Sequence, residues 1–315
     1  MPEYCVTGGT GFIAANLVKA LLEKGYVVRT TVRDPDDSKK VGFLWSMSGA
    51  KDRLKVMKAD LLVEGSFDKA VDGVDGVFHT AAPVHSGQAS QIDPCIKGTV
   101  NVLKSCAKAN SVKRVVLTSS CSAIRYRDDA TQASPLNESQ WSDPEYCKRY
   151  NLWYPYAKTL AEKEAWRVAE ERGIDLVAVN PSFVVGPLIT PQPTSSLLLI
   201  ISIMKGECST YPDFTVGFVH IDDVVSSHIL AMEDSRVTGR LVCSNSVAHW
   251  SEIIEMLNAK YPSYPITTKC GEQKGTNVPH TMDIGKIKQL GFPDFKTLPQ
   301  MFDDCIKSFQ EQGLL

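Results

Sequence analysis

The sequence predicts an α/β fold: a doubly wound parallel sheet with a smaller, mainly C-terminal lobe for the substrate. Three observations predict it. Short β-branched, apolar runs alternate with helical stretches through the first 180 residues, the pattern of a parallel sheet covered on both faces. A glycine-rich turn separates the first of these runs from the first helix. Past Pro181 the alternation fades, and Pro187, Pro191 and Pro193 mark loops before shorter elements. The expected division is 1–180 for the sheet domain, with segments near 215–245 returning to it, and 181–315 mainly for the second lobe.

In chain order, "EYCVT" (3–7) is the first strand, and an amphipathic helix runs from about Phe12 to Lys24, where Gly25 stops it. "YVVRTTVR" (26–33) is the second strand, and "DPDDS" after it suits a helix start. "LKVMKAD" (54–60), "VDGVFHT" (74–80), "RVVLTSS" (114–120) and "DLVAVNPS" (175–182) read as further strands. Helices are expected near 65–71, 93–110 and 154–172. The longest apolar run, "LLLIISIM" (197–204), reads as a buried helix, because a membrane span needs roughly 20 residues. Ligands of such sheets bind at the carboxyl ends of the strands, which here are "TGGTG", "TVRD", "KADLL", "HTAAP", "TSSC" and "NPSF".

Composition narrows the function classes. With 43% hydrophobic and 22% charged residues the chain is an ordinary globular one, and its net charge of −2 argues against nucleic acid as a partner. No basic region followed by an apolar stretch opens the sequence, so no secretory signal is expected. The nine cysteines are scattered without a CxxC pair, and the histidines do not cluster, so no metal site is expected and reduced thiols of a cytoplasmic protein are the reading.

"VTGGTGFIAANL" places Gly8, Gly11 and Ala14 three residues apart, directly after a strand and opening a helix. Gly8 allows the tight turn, Gly11 lets backbone N–H groups approach a phosphate, and Ala14 permits close helix–strand packing. In that position the motif predicts dinucleotide binding and a Rossmann-type sheet, with Phe12 and Ile13 beside the phosphates. The second strand ends with Arg33 and then Asp34, and Lys39 and Lys40 follow a helical turn later. A basic cluster over the adenosine ribose favours NADP(H), although Asp34 is placed to contact the ribose instead. Asp60 and Leu61 sit where an adenine could be held. Thr80, Ala81, Pro181 and Val184, at or just past other strand ends, complete the expected cofactor contacts.

Tyr154 and Lys158 are four residues apart and share one helix face, with Pro155 suited to the first turn. An ammonium beside a phenol stabilises the phenolate, so this pair can deliver a proton, and Lys158 can also bond the nicotinamide ribose. Tyr156 lies on another side of the helix and is the poorer candidate. A hydroxyl of Ser119 or Ser120, at the fifth strand's end, could polarise a substrate carbonyl; the other would bond loop backbone.

Together these motifs resemble the extended short-chain dehydrogenase/reductase family over essentially the whole chain. "VRDPDDSKKVGFL", "AKTLAEKEAW", "NPSFVVGP" and "FVHIDDVVSSHILAME" resemble the plant dihydroflavonol reductase and cinnamoyl-CoA reductase group more closely. The resemblance implies that Ser120, the second serine of the run, is catalytic with Tyr154 and Lys158, and that Arg33 with Lys39 or Lys40 binds NADP. Within the group, "SCSAIRYRDDATQASPLNESQWSDPEYCKRYNLWY" is most similar to the tetraketide α-pyrone reductases. That subfamily reduces a ketone on a long-chain polyketide pyrone in pollen-wall sporopollenin synthesis, which implies association with other enzymes of the route.

Two departures separate this chain from its nearer groups. Cinnamoyl-CoA reductases carry a CoA-linked His and Lys where Leu199 and Ser202 stand here, and an apolar helix suits an alkyl chain. Dihydroflavonol reductases place a substrate-binding Asn where this chain has Arg125. The segment 82–94 is also shorter than the pyrone reductases would imply. Expected pocket residues are His85, Arg125, Tyr126, Leu198, Leu199 and Ile203. The expected activity is NADPH-dependent reduction of a carbonyl. The alternatives are a cinnamoyl-CoA, aromatic aldehyde or dihydroflavonol substrate, or a non-enzymatic NADP-sensing scaffold.

Overall fold

The computed structural model describes residues 1–83, 89–272 and 278–315. Ten strands are β1 Glu3–Thr7, β2 Val27–Val32, β3 Leu54–Lys58, β4 Gly76–His79, β5 Arg114–Thr118, β6 Leu176–Pro181, β7 Phe183–Val185, β8 Thr215–His220, β9 Gly239–Cys243 and β10 Val247–His249. Seven of them form one parallel sheet in the order β3-β2-β1-β4-β5-β6-β9. β4, β5 and β6 are buried along their whole length, which is why their sequences read as apolar runs without alternation.

The helices of the first lobe are α1 Phe12–Glu23, α2 Ser38–Trp45, α3 Ala50–Arg53, α4 Asp68–Val71, α5 Ile92–Lys108, α6 Pro144–Arg149 and α7 Trp153–Arg172. Those after β7 are α8 Ser195–Met204, α9 Ile221–Glu233, α10 Trp250–Lys260, α11 Gly285–Gln289 and α12 Leu298–Glu311. α1 packs beside α9, and Leu17, Leu21, Val224 and Ala231 join one core cluster with β1 and β2. α5 pairs with α7 in a separate cluster that holds Val102, Leu103, Ala165 and Val168. The sheet is thus covered on both faces.

The second lobe is built on a three-stranded sheet in the order β10-β8-β7. Within residues 215–245, β9 pairs with β6 in the seven-stranded sheet and α9 packs against β5 and β6, whereas β8 pairs with β7 and β10. Strands as short as β7 and β10, three residues each, carry too little periodicity to be read from sequence. The apolar run at 197–204 lies inside α8, with Leu197, Ile200, Ile201, Ile203 and Met204 buried. Among the described residues no helix is long and apolar enough to cross a membrane, and no group of His, Cys, Asp and Glu could hold a metal ion. All nine cysteines are free thiols.

Four buried histidines make stability acid-sensitive. Burial, helped by the charge of Lys158, pushes His79 down to about 3, and burial takes His220, His228 and His280 to about 4. An unfolded histidine titrates near about 6.5, so below that pH the unfolded chain binds protons that the fold refuses. This contribution is complete above about pH 6.5 and drains away as the pH falls toward the folded values. Thermal midpoints are expected to drop between about pH 7 and pH 5. The drop should be smaller in His228→Gln, a difference that scanning calorimetry at both pH values would read.

Candidate active site

Strand order reverses between β1 and β4, which leaves a crevice at their carboxyl ends, and the glycine turn sits there. Gly8 has φ +76°, and a Cβ on it would lie 3.0 Å from that of Ala81. A Cβ on Gly9 would lie 2.2 Å from Thr30 Oγ1, so this residue, which the motif spacing did not single out, is also held to glycine. Gly11 N–H donates to the Gly8 carbonyl at 2.8 Å, and α1 begins at Phe12 with no acidic residue in its first turn. The N–H groups of that turn and its positive dipole end are therefore open to a phosphate. Thr7 Oγ1, which accepts from the N–H of Thr80 and Ala81 at 3.1 and 3.0 Å, ties the end of β1 to the loop after β4.

One cavity of about 1130 Å³ runs from this turn into the second lobe. Its cofactor half is lined by Gly8, Gly11, Phe12, Ile13, Arg33, Asp60, Leu61, Thr80 and Ala81. Pro181 and Val184 line it farther along. Arg33 is exposed on the wall, whereas the Asp34 carboxylate accepts the Asp36 N–H at 3.1 Å and stays outside the lining. Of the basic cluster expected at the ribose, only Arg33 reaches the cavity. Lys39 and Lys40 are exposed away from it, and Lys40 pairs with Asp37 at 2.8 Å. A dinucleotide with a 2′-phosphate fits this half: glycines where side chains would collide, an uncapped helix N-terminus, and an arginine beyond β2. Arg33→Gln is expected to weaken NADPH binding at least about tenfold and leave NADH binding nearly unchanged, as titration with each cofactor would show.

The chemistry-bearing side chains meet in the middle of the cavity. Ser120 follows β5, lines the wall and accepts the Ser122 N–H at 3.0 Å. Ser119 points elsewhere. Its hydroxyl donates to Glu162 Oε2 at 2.5 Å, within a buried network in which Asn180 Nδ2 donates to the same oxygen and to the Ser120 carbonyl. Spacing left the two serines equivalent, and Glu162 separates them.

Tyr154 lies in the first turn of α7, 38% exposed and on the cavity wall. Lys158, one turn on, is buried and donates to the Thr118 carbonyl at 3.0 Å, the residue that ends β5. Lys158 is not itself part of the lining. Tyr156 turns away into a cluster with Tyr126, Tyr146, Cys147 and Leu152, and Trp153 meets its ring edge-on at 6.2 Å.

The far end is walled by Phe183, Leu198, Phe214 and Val216, with Arg125, Tyr126 and His280 among them. Of the pocket residues expected on α8, Leu198 lines the cavity, but Ile203 is fully buried in the core and Leu199 packs against that core. A helix whose run from Leu197 to Met204 is interrupted only by Ser202 gives little sequence clue to which face turns to a ligand, and neither Leu199 nor Ile203 lines the cavity. His85 lies outside the described residues. His280 was not singled out from sequence, because a lone histidine in a loop carries no pattern.

An extended short-chain dehydrogenase/reductase with an NADP-dependent oxidoreductase site is the class that this sheet, turn and Ser-Tyr-Lys arrangement define. The chain belongs to the NAD dependent epimerase/dehydratase family, whose model matches residues 4–242. It is 66% identical to tetraketide alpha-pyrone reductase 2 of Arabidopsis thaliana over the full length of both chains. Cinnamoyl-CoA reductase CAD2 of Medicago truncatula is 42% identical, over 98% of this chain and 95% of that one. Among solved structures, the yeast methylglyoxal/isovaleraldehyde reductase Gre2 complexed with NADPH superimposes with a TM-score of 0.83 at 27% identity, covering 99% of this chain and 100% of that one. The protein is a reductase, and its cofactor is NADP(H).

Proposed function

We propose that the chain reduces a side-chain ketone of tetraketide α-pyrones to the alcohol, with Ser120, Tyr154 and Lys158 as its catalytic residues. The observation that carries this reading is a single cavity in which Ser120 and Tyr154 stand between the glycine turn and an apolar far wall. Gly8, Gly11, Arg33, Asp60, Leu61, Thr80 and Ala81 would hold the cofactor, and the chemistry it would supply is hydride donation to a carbonyl carbon. Ser120 Oγ donates to the carbonyl oxygen and polarises it. Tyr154 gives its phenolic proton to the same oxygen as negative charge develops there. Lys158, with its ammonium fixed by the Thr118 carbonyl, stabilises the phenolate that remains and would bond the nicotinamide ribose of the bound cofactor.

Substrate class follows from the far wall and from the 66% identical relative named for that pyrone. α8 gives the cavity Ser195, Ser196 and Leu198 but no cation, so a CoA phosphate would find no partner on this helix. An alkyl chain buries apolar surface against Leu198, Phe183 and Val216 instead. The 42% identical cinnamoyl-CoA reductase keeps the thioester as the second reading. Either way, enzymes that build the carbonyl compound must precede this step.

The discriminating experiment follows NADPH oxidation by purified protein with tetraketide pyrones, cinnamoyl-CoA, cinnamaldehyde and a dihydroflavonol. The pyrone is expected to give a kcat/KM higher than any other by an order of magnitude or more. Preference for the CoA ester would overturn the reading of α8.

A further inference from the structure

Among the described residues, the far end of the cavity holds a cation with no counter-ion and a base with no donor. Arg125 is 5% exposed, yet among the described residues no carboxylate pairs with it. Its Nη1 donates to the Thr215 carbonyl at 2.8 Å and its Nη2 to the Tyr126 hydroxyl. The guanidinium carbon lies 4.1 Å from the Tyr126 ring centre and 5.8 Å from that of Phe214. These contacts orient the guanidinium but do not neutralise it, and a buried charge left unpaired is costly.

His280, 7% exposed and lining the same cavity, has Nδ1 2.8 Å from the Val278 carbonyl. A carbonyl only accepts, so Nδ1 carries the proton and Nε2 presents a lone pair, which has no partner. Burial, reinforced by the charge of Arg125, takes His280 down to about 4, so the ring stays neutral at physiological pH.

Resting on the pyrone-reductase reading, we propose that Arg125 and His280 form a subsite for an acidic enol, the ring hydroxyl of an α-pyrone conjugated through the ring to its lactone carbonyl. The enol hydroxyl, bound in its neutral form, donates to His280 Nε2, and the conjugated lactone carbonyl oxygen accepts from Arg125, whose charge stabilises the electron density that conjugation places on that oxygen. Seating it takes a rotamer-scale shift of the wall, because Nε2 is covered in this conformation. The subsite turns the pyrone ring so that the side-chain ketone lies toward Ser120 and Tyr154. It also gives the enzyme a means of rejecting ketones without a second oxygen function, since these leave both buried groups unanswered.

The test uses the protein–NADP+ complex in a calorimeter with triacetic acid lactone, which has the ring hydroxyl but no side-chain ketone to reduce, and with its O-methyl ether. The lactone is expected to bind at least about tenfold tighter than the ether. Arg125→Met should bring that ratio close to one, Arg125→Lys should keep much of it, and His280→Phe should reduce it several-fold. Equal binding of lactone and ether by the unaltered protein would overturn the subsite, whatever the variants do to folding. So would a ratio that persists unchanged in folded Arg125→Met. Oxidation of NADPH by a tetraketide pyrone reads the reductase assignment separately, so either inference can fail alone.

Discussion

Replacing Tyr154 with phenylalanine is expected to lower turnover by about 100- to 10,000-fold, the range that general acid catalysis contributes, while NADPH still binds. Tyr154 is exposed on the cavity wall one turn before Lys158, whereas Tyr156 packs into the cluster of Tyr126, Tyr146, Cys147 and Leu152 and does not line the cavity. Tyr156→Phe should therefore keep most of the activity and cost only some packing. Single-turnover rates with saturating NADPH separate the two, because they report chemistry apart from cofactor affinity. A Tyr156→Phe variant more crippled than Tyr154→Phe would reverse the assignment of the acid.

A comparably large effect on stability is expected at Arg240. Its guanidinium, on β9, donates to Glu162 Oε1 at 2.7 Å and to Oε2 at 3.2 Å, with side-chain exposures of 6% and 1%. It also donates to the carbonyls of Ala123, Glu138 and Gln140, so one side chain ties β9 and α7 to the loop after Ser120. Arg240→Met strands Glu162 as a buried charge and should cost about 3–5 kcal/mol in denaturant unfolding. Arg240→Met combined with Glu162→Gln should recover part of that loss, because the stranded charge is gone. Breaking the exposed Arg167–Glu164 pair should cost only about 0–1 kcal/mol. A loss at Arg240 no larger than at that surface pair would show that the network does not hold the loop.

The contrast between these two sites explains what the sequence could reveal. "EYCVT" is bounded by turn signals and matches β1 residue for residue, and the glycine turn follows it as local chemistry requires. Tyr154 and Lys158 were legible because helix geometry fixes residues four apart on one face. The Arg240–Glu162 pair was not, since its partners lie 78 positions apart and only the sheet order brings them together. The same limit applied to Ser119 and Ser120, whose roles diverge through contacts to Asn180 and Glu162 rather than through spacing. Lys39 and Lys40 were grouped with Arg33 by proximity along the chain, yet the turn before α2 carries them off the cavity wall. On α8 a run that is apolar from Leu197 to Met204 apart from Ser202 hid which side lined the cavity, so Leu198 was grouped with Leu199 and Ile203. His280 enters the site from a loop far along the chain, where neither period nor motif marks it.

The most direct test of the central claim is to incubate purified protein with NADPH and a tetraketide α-pyrone and identify the product by mass spectrometry. Consumption of one NADPH per product, with the product heavier than the substrate by two hydrogen atoms, is the predicted result, and Tyr154→Phe should abolish it. Tight NADPH binding without oxidation by the pyrone, the CoA ester, the aldehyde or the dihydroflavonol would contradict the account. The chain would then be a cofactor-binding protein with an idle Ser-Tyr-Lys arrangement.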